Sequence, residues 1–359
     1  MCILALADDM TGALEIGAKF RAAGFHCLVS AKPIAVQSAP VVVFDTETRH
    51  CSPELARQEI RRFVLDSGAV HPRLIYKKTD STLRGNISAE LRALADLFPA
   101  WSIGYGPAYP ALGRTVKNGV LYVDDVPVAN TAFADDVLNP IRDSSVSAIL
   151  EPLLPCTVFD GTTDADLEMT ARTILCDERM RIAAGPAGLA GVIAQQISGP
   201  PNAPAPLPCV RRCVVINGSR HQHAAAQIQL AEKQGCISPA DGAPWKILQR
   251  SYPSDATPAG VANENGKYAL EQIASCAPDA VLVIGGDTAF ALISALGLPT
   301  VTPLSEVVRG VPLSRIEAAQ LEQILPGRKR DLLLITKSGG FGAPEAICHL
   351  RALLDTDAT

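Results

Sequence analysis

Short apolar runs alternate with amphipathic segments along most of this chain, and that alternation restricts it to a few architectures. Cys2 to Ala7 precedes a helical pattern from Thr11 to Ala23, Val41 to Phe44 precedes Pro53 to Ser67, and Leu74 to Tyr76 precedes Asn86 to Phe98. Repeats of this kind predict βαβ units around a parallel sheet. Punctuation agrees: Gly24 follows the first helix, Ser52-Pro53 supplies an N-cap with proline at the first helical position, and Gly68 closes the second helix. Val120 to Val128 reads as a hairpin around Asp124-Asp125, an excursion from the main sheet.

Five prolines between Ser198 and Pro208 rule out a helix or a central strand there, so residues 199–209 read as a linker. Beyond it the alternation resumes with strands at Cys213 to Ile216, Ala280 to Ile284 and Leu332 to Thr336, and a helix from about Gln222 to Gln234. The expected fold is α/β in two domains, 1–198 and 210–359, each a mostly parallel sheet flanked by helices. A chain of 359 residues suits two domains of that size.

Charge excludes some partners. With 32 Lys+Arg against 37 Asp+Glu the net charge is -5, which leaves no electrostatic footprint for nucleic acid or an anionic membrane. The ten cysteines are scattered, and Cys209 and Cys213, the closest pair, have no matching pair downstream; neither a zinc site nor a disulfide framework is expected. Their apolar settings point to reduced cysteines in the cytoplasm. Met1 to Ala7 lacks a basic start and runs into Asp8-Asp9, unlike a secretion signal, and no stretch has the uncharged length to cross a bilayer.

Chemistry concentrates at predicted strand ends, where open α/β sheets bind ligands. The densest run is Lys77-Lys78-Thr79-Asp80-Ser81-Thr82-Leu83-Arg84-Gly85, read as a strand-to-helix turn. Lysine and arginine there suit an anion, while aspartate and hydroxyls suit a polyol or a cation; a capped helix start with ordinary surface charge is the plainer account. Asp8-Asp9 follow the first strand and Asp45 to Arg49 the second, so three consecutive strand ends are charged. In the C-terminal part, Asn217-Gly218-Ser219-Arg220, Gly285-Gly286-Asp287-Thr288 and Lys337-Ser338-Gly339-Gly340 each follow a strand. Glycines in such turns let backbone amides approach phosphates, which points to a nucleotide of unspecified kind. No Walker pattern, no convincing G-x-G-x-x-G after the first strand and no G-x-S-x-G is present. Asp287 and Thr288 could hold Mg²⁺, Lys337 could pair with a phosphate, and His221 and His223 read as solvated or capping residues.

Taken together, ALADDMTGA, YKKTDSTLRGN, the stretch from Pro107 to Val146, AGPAGLAG, IGGDTA and TKSGGFG resemble, in order, the four-carbon acid sugar kinase family. The resemblance spans almost the whole chain. It implies an N-terminal sugar-acid domain, a C-terminal ATP domain and an active site in the cleft between them. It also implies that Asp9, Arg49, Lys78, Thr79, Asp80 and Ser81 contact the acid, with Asp8 and Arg84 nearby. ATP would be held by Ser219, Gly285, Gly286, Asp287, Thr288, Lys337, Gly339 and Gly340. Asn217 to His221 departs from the family's serine-rich form, and the chain is shorter than many members.

The resulting expectation is a cytoplasmic, ATP- and Mg²⁺-dependent kinase that phosphorylates the terminal hydroxyl of threonate, erythronate or a 3-oxo-tetronate. Asp80 would act as general base, Lys78 or Arg49 would clamp the carboxylate, and Arg84 or Lys337 would offset transferring charge. Two alternatives stay open at this stage: a catalytically silent sugar-acid-binding protein and an NAD-dependent sugar-acid oxidoreductase. Metal ligands, the acid's identity and the oligomeric state, including a homo-oligomer, are also open.

Overall fold

The computed structural model describes all residues except 1, 137, 153, 200–205, 249, 251–256, 323 and 356–359, and divides into two compact units, 1–202 and 203–359. The centre of the expected proline-rich linker, residues 200–205, lies outside the described residues.

Unit 1 contains β1 (Ile3–Ala7), α1 (Met10–Ala22), β2 (Cys27–Ser30), β3 (Val41–Asp45), α2 (Pro53–Asp66), β4 (Leu74–Lys78), α3 (Ile87–Leu97) and β5 (Ile103–Tyr105). It continues with β6 (Arg114–Lys117), β7 (Val120–Val123), β8 (Val126–Pro127), β9 (Cys156–Val158), α4 (Asp164–Cys176), β10 (Ile182–Gly185) and α5 (Ala187–Ser198). Seven strands form one parallel sheet in the order β2-β3-β1-β4-β10-β5-β9. Because β3, β1 and β4 are adjacent and in register (Ala7 opposite both Asp45 and Lys78), their carboxyl ends are level and their turns converge. The expected excursion is a three-stranded antiparallel sheet, β6-β7-β8; Asp124 and Asp125, at φ 50° and 63°, form the tight turn between β7 and β8.

One finding moves the site. β4 runs two residues past the apolar run, so Lys77 and Lys78 belong to the strand and not to the turn after it. Alternation then sends the two side chains to opposite faces of the sheet. Leu4, Leu6, Val42, Phe44 and Ile75 pack on one face with α2 and α3 residues such as Phe63 and Leu91.

Unit 2 contains β11 (Cys213–Asn217), α6 (Gln222–Lys233), β12 (Trp245–Leu248), α7 (Pro258–Cys276), β13 (Ala280–Ile284), α8 (Gly286–Ala295), β14 (Thr302–Val308), β15 (Val311–Ile316), α9 (Ala318–Leu321), β16 (Leu332–Lys337) and α10 (Ala346–Leu354). Its sheet runs β12-β11-β13-β16-β15-β14. The first four strands are parallel, and β14 and β15 add an antiparallel edge to the otherwise parallel sheet expected there. Again the ends of β11, β13 and β16 are level, with Ile284 opposite both Asn217 and Lys337.

The expectation that every cysteine is reduced is corrected here. Cys236, just after α6, and Cys348, on α10, form a disulfide with their Cα atoms 5.4 Å apart and a sequence separation of 112. Spacing rules see only local pairs; this one exists because tertiary packing brings the end of α6 against α10.

Candidate functional site

In unit 1 the three converging turns build a buried charge cluster. Asp9 is the N-cap of α1 and accepts from the Gly12 N–H at 2.9 Å, so the capping role and a site role coincide in one residue. Arg49 is the hub. Its Nε and Nη2 each donate to Asp8 at 2.8 Å, Nη1 donates to Asp9 at 2.7 Å, and Nη2 lies 3.9 Å from Asp80. Burial opposes charge on Asp8, yet the Arg49 guanidinium, with Lys77 and Lys78, holds its carboxyl down at about 2.

Asp80 is fixed from two sides. Arg84 donates to it from Nη2 at 2.8 Å and Nε at 3.1 Å, and the Thr82 N–H donates at 2.9 Å. Burial again opposes the charge, but Arg84 and Arg49 keep the carboxyl well below the usual range. Arg84 also reaches Asp136 at 3.1 Å and lies over the Phe133 ring. The turn needs its glycine: Gly85 has φ +89°, and a Cβ there would sit 3.3 Å from both Arg49 Cγ and Asp8 Oδ2. Thr79, Asp80, Ser81 and Thr82 are all buried, which does not fit ordinary surface charge.

Lys78 differs from the other cations. It is 5% exposed, and its ammonium donates to the Thr79 carbonyl at 2.9 Å; among the described residues it has no carboxylate within ion-pair distance. The start of α1 closes over it, since a Cβ on Gly12 would lie 3.0 Å from Lys78 Nζ and 2.6 Å from Asp9 Oδ1. A buried ammonium with two unused donors, beside a helix N-terminus and hydroxyl-bearing turns, has the chemistry to pair with an anion.

Asp45 belongs to the charged strand end noted in the sequence, whereas Glu90 and Asp136 carried no individual signal there. Asp45 closes β3 with one carboxyl oxygen bonded to the Glu47 N–H and the other buried without a partner; burial, with the nearby Glu47 and Asp9, pushes this carboxyl well above the usual range. Glu90 on α3 pairs with Lys77 at 3.0 Å, and Asp136, which pairs with Arg84, comes from the segment between β8 and β9. The helical setting of Glu90 could have flagged it only once the face of β4 that Lys77 occupies was known.

Unit 2 gathers the expected glycine turns in the same way. The Gly285 N–H donates to the Lys337 carbonyl at 2.9 Å, which ties the turn after β13 to the end of β16. A Cβ on Gly218 would lie 1.8 Å from Thr288 Oγ1 and 2.7 Å from Thr288 Cβ, and one on Gly339 would lie 1.9 Å from Ser219 Oγ. These turns therefore touch through glycine alone. Gly285, with φ +115°, caps α8 without a side chain, so the first amides of that ten-residue helix have no side-chain cap. Gln227 of α6 donates to the carbonyls of Phe341, Gly342 and Ala343, fixing the loop around Gly340. His221 caps α6, in line with the capping expectation. Lys337 is buried beneath the glycines, its ammonium donates to the Ser338 carbonyl at 2.9 Å, and burial lowers its pKa to about 8.

Among the described residues no group of three or more His, Cys, Asp or Glu side chains is placed to hold a metal by itself. Asp287, in the first turn of α8, is the one carboxylate of the Gly285 to Thr288 turn. A single carboxylate suits Mg²⁺ that takes its other ligands from phosphates and water.

Comparison with known proteins agrees with this division. Residues 3–155 match the model of a sugar-binding N-terminal domain and residues 248–347 that of a nucleotide-binding C-terminal domain, together well over half of the chain. A D-threonate kinase of Bordetella bronchiseptica is 28% identical over 95% of this chain and 95% of its own length. A 3-oxo-tetronate kinase of Methylobacterium radiotolerans is 26% identical over 95% and 96%. The solved structure of a Haemophilus influenzae protein superposes with a TM-score of 0.69 at 18% identity, covering 98% of this chain and 100% of that one, which concerns the fold alone. With both domain models matched in order and kinases aligned along nearly its whole length, the chain belongs to the four-carbon acid sugar kinase family, carbohydrate kinases that act as phosphotransferases.

Proposed function

We propose that this kinase transfers the γ-phosphoryl group of ATP, with Mg²⁺, to the terminal hydroxyl of a four-carbon sugar acid: threonate, erythronate or a 3-oxo-tetronate. The observation that carries this reading is Lys78, a buried ammonium whose one hydrogen-bond acceptor is the Thr79 carbonyl. Of the two cations expected to clamp the carboxylate, Arg49 is already committed to Asp8 and Asp9, so Lys78 takes the carboxylate. Arg49 then orients Asp8 and Asp9, whose remaining acceptor positions suit hydroxyls, and Thr79 and Ser81 supply further polar contacts.

In the reaction the acceptor hydroxyl oxygen forms a bond to the γ-phosphorus as the bond from that phosphorus to the bridging oxygen of ADP breaks. The hydroxyl proton passes to Asp80 or to water beside it. A carboxylate with so low a pKa is a weak base, which suffices where the transition state is loose and positioning dominates. Arg84 offsets negative charge near Asp80. In unit 2 the first amides of α8, Ser219, Gly339 and Gly340 hold phosphates, Lys337 pairs with a phosphate oxygen, and Asp287 with Thr288 holds the metal side. Mg²⁺, when bound with the nucleotide, neutralises charge on the β- and γ-phosphates. A dependence on ATP fits a cytoplasmic enzyme; separately, no described helix is long and apolar enough to cross a membrane.

A coupled ADP-release assay over D- and L-threonate, D- and L-erythronate and 3-oxo-tetronates tests the reading. Acid-dependent ADP release is the expected result. Thermal stabilisation by an acid without ATP consumption would make the chain a silent binder, and acid-dependent NAD reduction would make it an oxidoreductase.

Lys337 gives the nucleotide step a pH signature. Its ammonium loses its proton above about 8, so nucleotide affinity should hold steady below that value and weaken above it, by up to roughly tenfold per pH unit. Stability moves the other way: the folded state releases this proton before the unfolded state, whose lysine titrates at 10.5, so Lys337 makes unit 2 more stable as pH rises between the two values. Nucleotide titrations from pH 7 to 9.5 check the first statement, and Lys337→Met should flatten the profile.

A further inference from the structure

Glu90 lies outside the strand-end turns, yet two lines of contact run from its carboxylate to the acid-binding residues. Its Oε2 is 3.0 Å from Lys77 Nζ, and Lys77 donates in turn to the Lys78 carbonyl at 2.8 Å. Its Oε1 accepts from Thr48 Oγ1, which lies 2.8 Å from the hydroxyl of Thr46. Lys77, Thr48 and Glu90 are at most 1% exposed. On the same side, Asn86 at the start of α3 donates to the carbonyls of Thr48 at 2.7 Å and Cys51 at 2.9 Å.

The turn held this way is conformationally strained, although the Asp45 carboxyl also accepts from the Glu47 N–H at 3.1 Å within it. Glu47 takes φ 48°, a conformation that side-chain-bearing residues seldom adopt, one residue before Thr48 and two before Arg49. Lys77 and Thr48 are the chain neighbours of Lys78 and Arg49, so fixing the first two fixes the backbone that presents the second two. We propose that Glu90 is a positioning residue for acid binding, acting through Thr48 on Arg49 and through Lys77 on Lys78. This rests on the reading of unit 1 as the acid-binding unit.

Thr48 offers a test that separates positioning from packing. Thr48→Val keeps the volume and removes the hydroxyl, whereas Thr48→Ser keeps the hydroxyl and removes a methyl group. The Val variant should raise the acid KM by about tenfold with the ATP KM unchanged, and the Ser variant should stay near wild type. Glu90→Gln should change the acid KM in the same direction, and adding Thr48→Val to it should cost less than the product of the two single effects. An unchanged acid KM in Thr48→Val, or a Ser variant worse than the Val variant, overturns the proposal. Amide exchange gives a readout that needs no substrate. The Arg49 N–H, bonded to the Asp8 carbonyl at 3.2 Å, should exchange faster in Thr48→Val than in Thr48→Ser. If the wild type consumes ATP with no four-carbon acid, the functional reading falls, whereas an Arg49 amide that exchanges equally fast in the two variants overturns the coupling through Thr48 whatever the substrate.

Discussion

Replacing Lys78 by Met should raise the acid KM by about 100- to 1000-fold while the enzyme still binds ATP. That size is about 3–4 kcal/mol, inside the range of about 2–5 kcal/mol that removing one partner of a buried, hydrogen-bonded charge pair costs. Without ligand, the Lys78 ammonium has the Thr79 carbonyl as its one hydrogen-bond acceptor, its burial is unfavourable, and its charge favours the ionised Asp8. Met fills similar space without the burial penalty but removes a charge that favours the ionised Asp8, so the two effects oppose each other and the variant should melt close to the wild-type temperature. Steady-state kinetics in acid and in ATP, with a thermal melt on the same samples, decide the matter. An acid KM within a few-fold of wild type would remove Lys78 from the carboxylate site.

Asp80→Asn should act on a different constant. We expect kcat to fall by about 10²- to 10⁴-fold, because Asn neither receives the hydroxyl proton nor holds the charge that aligns Arg84. ATP binding should survive. The same residue shapes the acid limb of stability. Burial opposes its charge and two guanidinium groups outweigh that, leaving the folded carboxyl well below 3.8, while the buried Asp8 sits at about 2. Carboxylates shifted downward stabilise the fold above their unfolded pKa and lose that contribution as pH falls through the folded value. Unit 1 should therefore hold its stability to about pH 4 and lose it steeply below, and Asp80→Asn should make that loss shallower. Denaturant titrations between pH 2 and 6 check this. Wild-type turnover in the Asn variant would take Asp80 out of the mechanism.

The strand ends were legible because apolar runs stop abruptly and each is followed by glycine or charge. That alone locates Asp8, Asp9, Arg49 and the turn from Thr79 to Arg84, and in unit 2 the turns at Gly218, Gly285 and Gly339. What stayed hidden depends on the third dimension. Lysine is a poor strand former, so Lys77 and Lys78 read as turn residues until the hydrogen-bonded ladders to β1 and β10 carried them into β4. Glu90 looks like any helical surface acid in the sequence; it is buried because α3 packs over the face that Lys77 occupies. Gln227 likewise takes its meaning from three carbonyls more than a hundred residues away. The Cys236–Cys348 bond and the antiparallel edge β14-β15 follow from tertiary packing and strand order, which composition does not encode.

The last two residues of β4 show how little tolerance the site has for length changes. Lys77 and Lys78 carry the same group but serve opposite sides of the sheet, one locked to Glu90 and the other open to an anion. Deleting a single residue upstream within β4 would slide the strand by one and exchange the two. The tethered ammonium would then face the ligand and the available one would meet Glu90, so family members that differ in loop length should still keep the number of residues between the start of this strand and its paired lysines.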